Sequence, residues 1–318
     1  MKPSGPDGMN INGVEIEDTF AEAFDMRVAR VVVTAETLAW ARTAATVATG
    51  YSTSIIGCDA EAGVETELSR EQTADGRPGV SMLFFGFSRA ALAKALVNRL
   101  GQCVMTCATT ACFDGLPAAA ERVNVGGRLR FFGDGYQSSK KLGGRRYWRV
   151  PVMDGEFVCE ETFGVQRGIA GGNVILLGED LATTLGAAEA AVAAMRRVPG
   201  IILPFPGGIA RSGSKVGSRY KWLRASTNDA HCPTLRAMTR TALPPGVNAA
   251  YEIVINGLDL GSVEAATGQG VRAACGRGVV RVTAGNYGGK LGPYKVHLHR
   301  VLTDSPGATG AREAGGRA

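Results

Sequence analysis

The chain has 318 residues, of which 45% are hydrophobic and 20% charged, and it carries a formal net charge of +6. These values exclude a disordered or fibrous chain and suit a soluble globular protein with room for two cores of ordinary domain size. No apolar run reaches the roughly 18 residues that cross a bilayer, and the opening "MKPSGPDGMN" lacks a signal peptide's apolar stretch, so a cytoplasmic setting is expected.

Residues 1–10 read as an N-terminal extension and residues 304–318, rich in Gly and Ala, as a flexible tail. Between them one pattern occurs twice. "RVARVVVTA" (27–35) predicts a strand, and "ETLAWARTAATVATG" (36–50) an Ala-rich helix closed by Gly50. "YSTSIIGC" (51–58) reads as a second strand and, after a polar loop ending "DGRPG", "VSMLFFGF" (80–87) as a third. "SRAALAKALVNRLG" (88–101) predicts a helix capped by Ser88 and closed by Gly101, followed by a strand in "QCVMTCA" (102–108).

The second half starts with a strand in "GNVILLG" (172–178), a helix within 179–200 and a strand in "IILPFPGG" (201–208). A long polar insertion, 211–248, precedes the strand "YEIVING" (251–257), a helix interrupted by glycines (259–276) and the strand "GVVRVTAG" (278–285). "YKVHLH" (294–299) reads as a final strand. Each half is a doubled βαβ, so the expected fold class is α+β with two ferredoxin-like (split βαβ) lobes and an internal duplication. The lobes are placed at 11–150 and 151–303, joined near the basic "KKLGGRRYW".

Charge is concentrated. Residues 122–149 hold eight basic side chains against Asp134 alone, and 211–224 hold five with no acid. Such segments suggest a polyanionic partner. Seven cysteines at irregular spacing make neither a disulfide framework nor a CxxC metal pair, and read as small buried thiols of a reducing compartment.

Standard signatures fail. "GNYGGKLG" resembles a phosphate loop, but Ala284 replaces its first glycine and Leu291 its Ser/Thr; "GDGYQS" lacks a dinucleotide fingerprint's last glycine. His297 and His299 would share a strand face, yet only His231 remains as a third histidine, so no metal and no permanently bound cofactor is expected. What remains is a set of polar, glycine-bearing corners whose backbone could approach a ligand closely: 58–63, 131–137, 204–218, 225–233 and 283–292. One strand also carries an anomaly. Alternation in "AAYEIVINGLDL" puts Glu252 beside Val254, where a carboxylate would lose water without compensation.

These corners are also familiar. "INGVEIEDTFAEAF" (11–24), "DGRPGV", "GQCVMT", "FFGDGYQ", "PFPGGI", "SKVGS", "STNDA", "YEIVING", "AGNYGGKLG" and "HLH", in order from residue 11 to 299, strongly resemble formylmethanofuran:tetrahydromethanopterin formyltransferases of the bacterial, methylotroph type. The resemblance implies formyl transfer between tetrahydromethanopterin and a methanofuran-type amine in one-carbon metabolism, with both carriers as cosubstrates. It also implies a tetramer of such chains with catalytic clefts at subunit contacts, working inside a formyltransferase/hydrolase complex. Glu252 falls on the family's catalytic glutamate, where a protonated carboxyl would hold the oxyanion of a tetrahedral intermediate. Matching motifs and side-chain chemistry make Gly207, Gly208, Ser214, Lys215, Asn228, Asp229, Asn286 and Lys290 the candidate substrate-binding residues, with Lys215 and Lys290 as anion contacts. The rival reading is an RNA-binding protein with tandem ferredoxin-like domains, against which stands the lack of any aromatic RNA-recognition octapeptide. Nucleic acid and membrane are therefore not expected among the partners.

Overall fold

The computed structural model describes residues 8–276 and 278–303; the predicted tail at 304–318 and the first seven residues of the extension lie outside the described residues. Strand β1 (Phe20–Thr34), with its β-branched residues in the C-terminal half, is followed by α1 (Leu38–Thr49), β2 (Glu61–Leu68), β3 (Gly79–Gly86), α2 (Arg89–Arg99) and β4 (Ala111–Asp114). The second half repeats this succession as β5 (Thr162–Gly178), α3 (Leu181–Met195), β6 (Ile201–Ile202), β7 (Ala249–Gly257), α4 (Leu260–Ala274) and β8 (Val279–Thr283). Hydrogen bonding orders the strands β2-β3-β1-β4 in the first half and β6-β7-β5-β8 in the second. The two sets have the same order: second, third, first, fourth.

One continuous sheet results, because β1 and β5 pair antiparallel where Phe24–Val28 meets Gln166–Ala170, as read from partners such as Val28 with Gln166. A short strand β9 (Tyr294–His297) returns to pair with the first residues of β1, and α5 (Leu298–Thr303) follows it. Helices α1 and α2 cover one core, to which the Ala41, Ala44, Ala45 and Ala48 stripe contributes. Helices α3 and α4 cover a second core containing Val174, Leu176, Ile253 and Ile255. A third cluster, with Met26, Leu83, Phe85, Ala170 and Ile202, joins residues of both halves.

Several elements depart from the sequence expectation. Residues 51–58 form turns, with Gly57 and Cys58 N–H groups donating to the Ser54 carbonyl, and the second strand is Glu61–Leu68 instead. Three glutamates and a glycine in eight residues make it resemble a loop. Gly101 does not stop α2: the chain continues as a π turn, Leu100–Val104, closed by Met105 N–H on the Leu100 carbonyl, and the fourth strand waits until Ala111. In 201–208 only Ile201–Ile202 is strand, since Pro204 and Pro206 have no N–H to give to a ladder. Helix α4 runs unbroken through its glycines; a Cβ on Gly270 would lie 2.0 Å from Met195 Cε, so the glycine permits close packing of α3 on α4. His297 ends β9 and His299 lies in α5, so the two imidazoles do not share a strand face; His299 Nε2 sits 2.8 Å from the Ile16 carbonyl. The basic junction is a hairpin, Ser138–Leu142 with Arg145–Val152, turning through Gly143 and Gly144 at positive φ.

One irregularity matters for the site. Along β5, Ile169 pairs with Gly257 of β7, but the next pair is Gly172 with Ile255. Three steps on β5 thus match two on β7, a bulge whose extra residue includes Gly171 at φ +86°.

Candidate functional site

Glu252 lies near the start of β7, opposite Ile175 of β5, with its other edge bridged to Ala210 by two backbone hydrogen bonds of 2.7 and 3.0 Å. Its side chain points away from α3 and α4, toward the polar insertion, and the residue is only 4% exposed. Among the described residues no cation pairs with it. Its Oε1 accepts from Asn173 Nδ2 at 2.6 Å and from Ser214 Oγ at 2.5 Å, while Oε2 is buried with no hydrogen-bond partner among the described residues. Burial pushes the Glu252 carboxyl above the usual range, against the Ser214 and Asn173 donors that pull it down. A carboxyl so placed has one oxygen committed as acceptor and the other free to carry a proton.

The donors are themselves fixed. Asn173 Oδ1 accepts Gly285 N–H at 2.6 Å, which leaves Nδ2 facing Glu252. The Ser214 carbonyl accepts the Tyr287 hydroxyl at 2.9 Å. Gly285 and Tyr287 belong to the loop that resembled a phosphate binder. Its N–H groups do gather an anion, but one from this chain: Glu22 of β1, 1% exposed, accepts from Tyr287, Gly289 and Leu291 N–H at 2.5–2.7 Å. Burial pushes the Glu22 carboxyl up, but the backbone donors Leu291, Gly289, Tyr287 and Gly292 together outweigh it and hold it below the usual range.

A small cavity of about 30 Å³ touches Glu252, Gly213, Asn228 and His231. Burial pushes the His231 imidazole below its usual value, and its Nδ1 has no hydrogen-bond partner among the described residues. The other expected residues are distributed around this centre. Lys215 Nζ is bound to Asp229 Oδ1 at 2.5 Å, so the two neutralise each other beside a larger cavity that also touches Arg219 and Tyr220. Gly207 and Gly208, at φ +65° and +89°, make the turn that leads to Ala210. Asn286 is engaged in its own turn, accepting Gly288 N–H at 2.8 Å, and reaches toward Thr19. Lys290 is exposed on the same loop. The structure therefore brings Glu252, Ser214 and Asn228 together and leaves Asn286 and Lys290 outside that cluster.

Much of the first basic segment is answered within the chain. Arg122 pairs with Asp114 at 2.7 Å, Arg145 with Glu160, Arg146 with Glu161 at 3.5 Å and Arg149 with Glu156 at 2.5 Å. In the insertion, Arg211, Arg219, Lys221 and Arg224 are exposed. No group of three or more His, Cys, Asp or Glu among the described residues is placed to hold a metal ion.

Sequence reasoning missed Asn173, Glu22 and Tyr287. The signal for Asn173 was the one that exposed Glu252: a polar side chain in an otherwise apolar strand, "GGNVILLG". The Asn173–Gly285 contact is testable. A Cβ at Gly285 would lie 2.3 Å from Asn173 Nδ2. Gly285→Ala is expected to displace Asn173, cost about 1–3 kcal/mol in chemical denaturation and lower turnover at least about tenfold.

Comparison with known proteins agrees over nearly the whole chain. Residues 9–152 match the family model "Formylmethanofuran-tetrahydromethanopterin formyltransferase", and residues 155–301 match its companion, "FTR, proximal lobe". A Methylococcus capsulatus protein named formylmethanofuran--tetrahydromethanopterin formyltransferase is 54% identical, covering 92% of this chain and all of the relative. A subunit of the Methylorubrum extorquens formyltransferase/hydrolase complex is 50% identical, covering 94% of this chain and 98% of the relative. A crystal structure of that complex with methylofuran contains a chain that superposes with a TM-score of 0.90 at 49% identity, covering 93% of this chain and 99% of that one.

Proposed function

The chain belongs to the formylmethanofuran-tetrahydromethanopterin formyltransferase family, and on that premise we propose that Glu252 carries its reaction. The enzyme moves a formyl group between tetrahydromethanopterin and a methanofuran-type amine, its two cosubstrates. Attack of one carrier's nitrogen on the formyl carbon turns the carbonyl oxygen into an oxyanion. A donor aimed at that oxygen is worth about 3–4 kcal/mol when the site excludes water. The observation that carries the reading is the asymmetry of the Glu252 carboxyl. Two donors occupy Oε1 and burial favours the neutral acid, and when the carboxyl is protonated the unpartnered Oε2 is the oxygen that carries the proton. That O–H is the oxyanion donor. As the tetrahedral intermediate collapses, the C–N bond to the donor carrier breaks and that nitrogen is protonated, while the acceptor nitrogen loses its proton.

The remaining contacts follow from this centre. Asn228 orients whatever occupies the cavity beside Glu252, and the Gly207–Gly208 turn sets the position of Ala210 against its backbone. Lys215 with Asp229, Asn286 and Lys290 serve as outer polar contacts for the carboxylates and phosphate of the carriers. The common strand order supports reading the chain as two ferredoxin-like lobes, 11–150 and 151–303. We also place the enzyme in the cytoplasm as a tetramer attached to the other subunits of a formyltransferase/hydrolase complex. Its unpaired thiols suit that compartment, and the exposed Phe131, Phe132, Tyr136 and Met153 offer apolar surface for subunit contact.

The test is direct. Purified protein is mixed with formyl-tetrahydromethanopterin and a furan amine, and formation of the formylated amine is followed optically, alone and with partner subunits. Transfer in either mixture is expected; its absence from both overturns the reading.

A further inference from the structure

Resting on the role given to Glu252, we propose that Asn256, clamped from the other half of the chain by Glu61, is a positioning residue that keeps the catalytic carboxyl in register. Asn256 is fully buried on β7, four residues beyond Glu252 and on the same strand face. Its Oδ1 accepts Gly171 N–H at 3.0 Å and its Nδ2 donates to Glu61 Oε2 at 2.6 Å. Glu61, 6% exposed on β2, is held in turn by Ile55 N–H on Oε1 at 2.9 Å. The Asn256 amide cannot flip without facing Nδ2 to the Gly171 N–H and Oδ1 to the Glu61 carboxyl.

Gly171 is the reason this matters. Before the bulge, β5 is in register with Ile169 opposite Gly257. Continued regularly, that register sets Asn173 opposite Ile253, whose side chain lies in the apolar core beneath α3 and α4. The extra residue sets Asn173 opposite Val254 instead, on the Glu252 side. The Asn173 hydrogen bond to Glu252 therefore exists only while the bulge does. A bulge frees a backbone N–H that must find a partner when buried, and Asn256 is that partner. A Cβ at Gly171 would also lie 2.6 Å from Phe24 Cε1, so the bulge is seated against β1.

A purely architectural role predicts a less stable protein with unaltered acid-base behaviour. The proposal predicts more, because Asn173 is one of two donors that pull the Glu252 carboxyl down. Loosening it raises the pH at which turnover falls on the alkaline side. Among the described residues the other titratable and charged groups near Glu252 are Tyr287 and Glu22 at the glycine loop, Arg211, His231 and Cys232 of the insertion, and Tyr251 of β7, and none of them is altered.

The experiment measures kcat and KM against pH for the assembled enzyme carrying Asn256→Leu, Asn173→Leu, both together, and Glu252→Gln. Each single leucine variant is expected to lower kcat about 10–30-fold with KM nearly unchanged, and the double variant to be no worse than Asn173→Leu. Both leucine variants move the alkaline limb upward. Glu61→Gln, which leaves one acceptor oxygen for the two donors Ile55 N–H and Asn256 Nδ2, reproduces the effect more mildly and serves if Asn256→Leu does not fold. Multiplying losses in the double variant, or an unmoved limb, overturns the clamp. A limb that survives Glu252→Gln instead removes the role given to Glu252, and the clamp is then decided by the coupling of the kcat losses alone.

Discussion

Glu252→Ala is expected to lower kcat by about 10²–10³-fold, whereas Glu252→Gln retains measurable turnover. Alanine removes the carboxyl that lines the cavity with an unpartnered oxygen, and takes from Asn173 and Ser214 the acceptor they share. Glutamine keeps the acceptor at the Oε1 position and places an N–H donor where Oε2 stood. It can hold an oxyanion but has no acid proton, so its activity lacks the alkaline limb that titration of Glu252 gives the parent. Equal turnover in all three proteins removes Glu252 from the mechanism. The same burial has a stability consequence of definite sign. Because the folded carboxyl is raised above its unfolded value, the native state is favoured below the unfolded value, and that advantage drains away as pH rises toward the folded one. Glu252→Gln should therefore melt higher than the parent at pH 8, with the difference shrinking toward pH 4.

Glu22→Ala is the second large change. The carboxylate takes three backbone N–H groups from the glycine loop. Hydrogen bonds to a charged group contribute about 1.5–3 kcal/mol each and do not simply add, so a loss of about 3–5 kcal/mol in denaturant titration is expected. Activity falls too, because the same loop supplies Gly285 N–H to Asn173 and the Tyr287 hydroxyl to Ser214. The sign with pH is opposite to that of Glu252. The folded Glu22 carboxyl is lowered, so its stabilisation is present above the unfolded carboxyl value and is lost as pH falls through the folded one. In the alanine variant that acid-side loss is reduced. An unchanged denaturation midpoint would show that the loop does not depend on Glu22.

The polar anomaly in an apolar strand was legible from the residues themselves, and so was the doubled succession of strands and helices. Ser88 caps its helix as its sequence position suggests, accepting Ala91 N–H at 3.1 Å. Elements went astray where local and tertiary preferences differ. Val104 and Met105 look like strand residues, but they close a π turn beneath the first core because α2 runs on past Gly101. Glu61 to Leu68 looks like a loop because three glutamates and a glycine leave it few apolar residues, and only pairing with β3 makes it a strand. The surroundings of Glu252 were less legible still. Asn173 is far from it in sequence, and its facing depends on one extra residue at Gly171 that no periodicity announces. Glycines in 283–292 signalled anion binding correctly in kind, but composition could not say that the anion was a side chain from β1.

The return of β9 to the first residues of β1 bears on how the polypeptide is made. A ribosome that has delivered the first half has produced a β1 whose Phe20–Val28 stretch still lacks β9 and β5, its partners made later. Such an open edge invites pairing with a neighbouring nascent chain. Closure comes only when residue 297 has emerged, so β9 completes a strand made long before it, and the open edge stays available for misassembly until then.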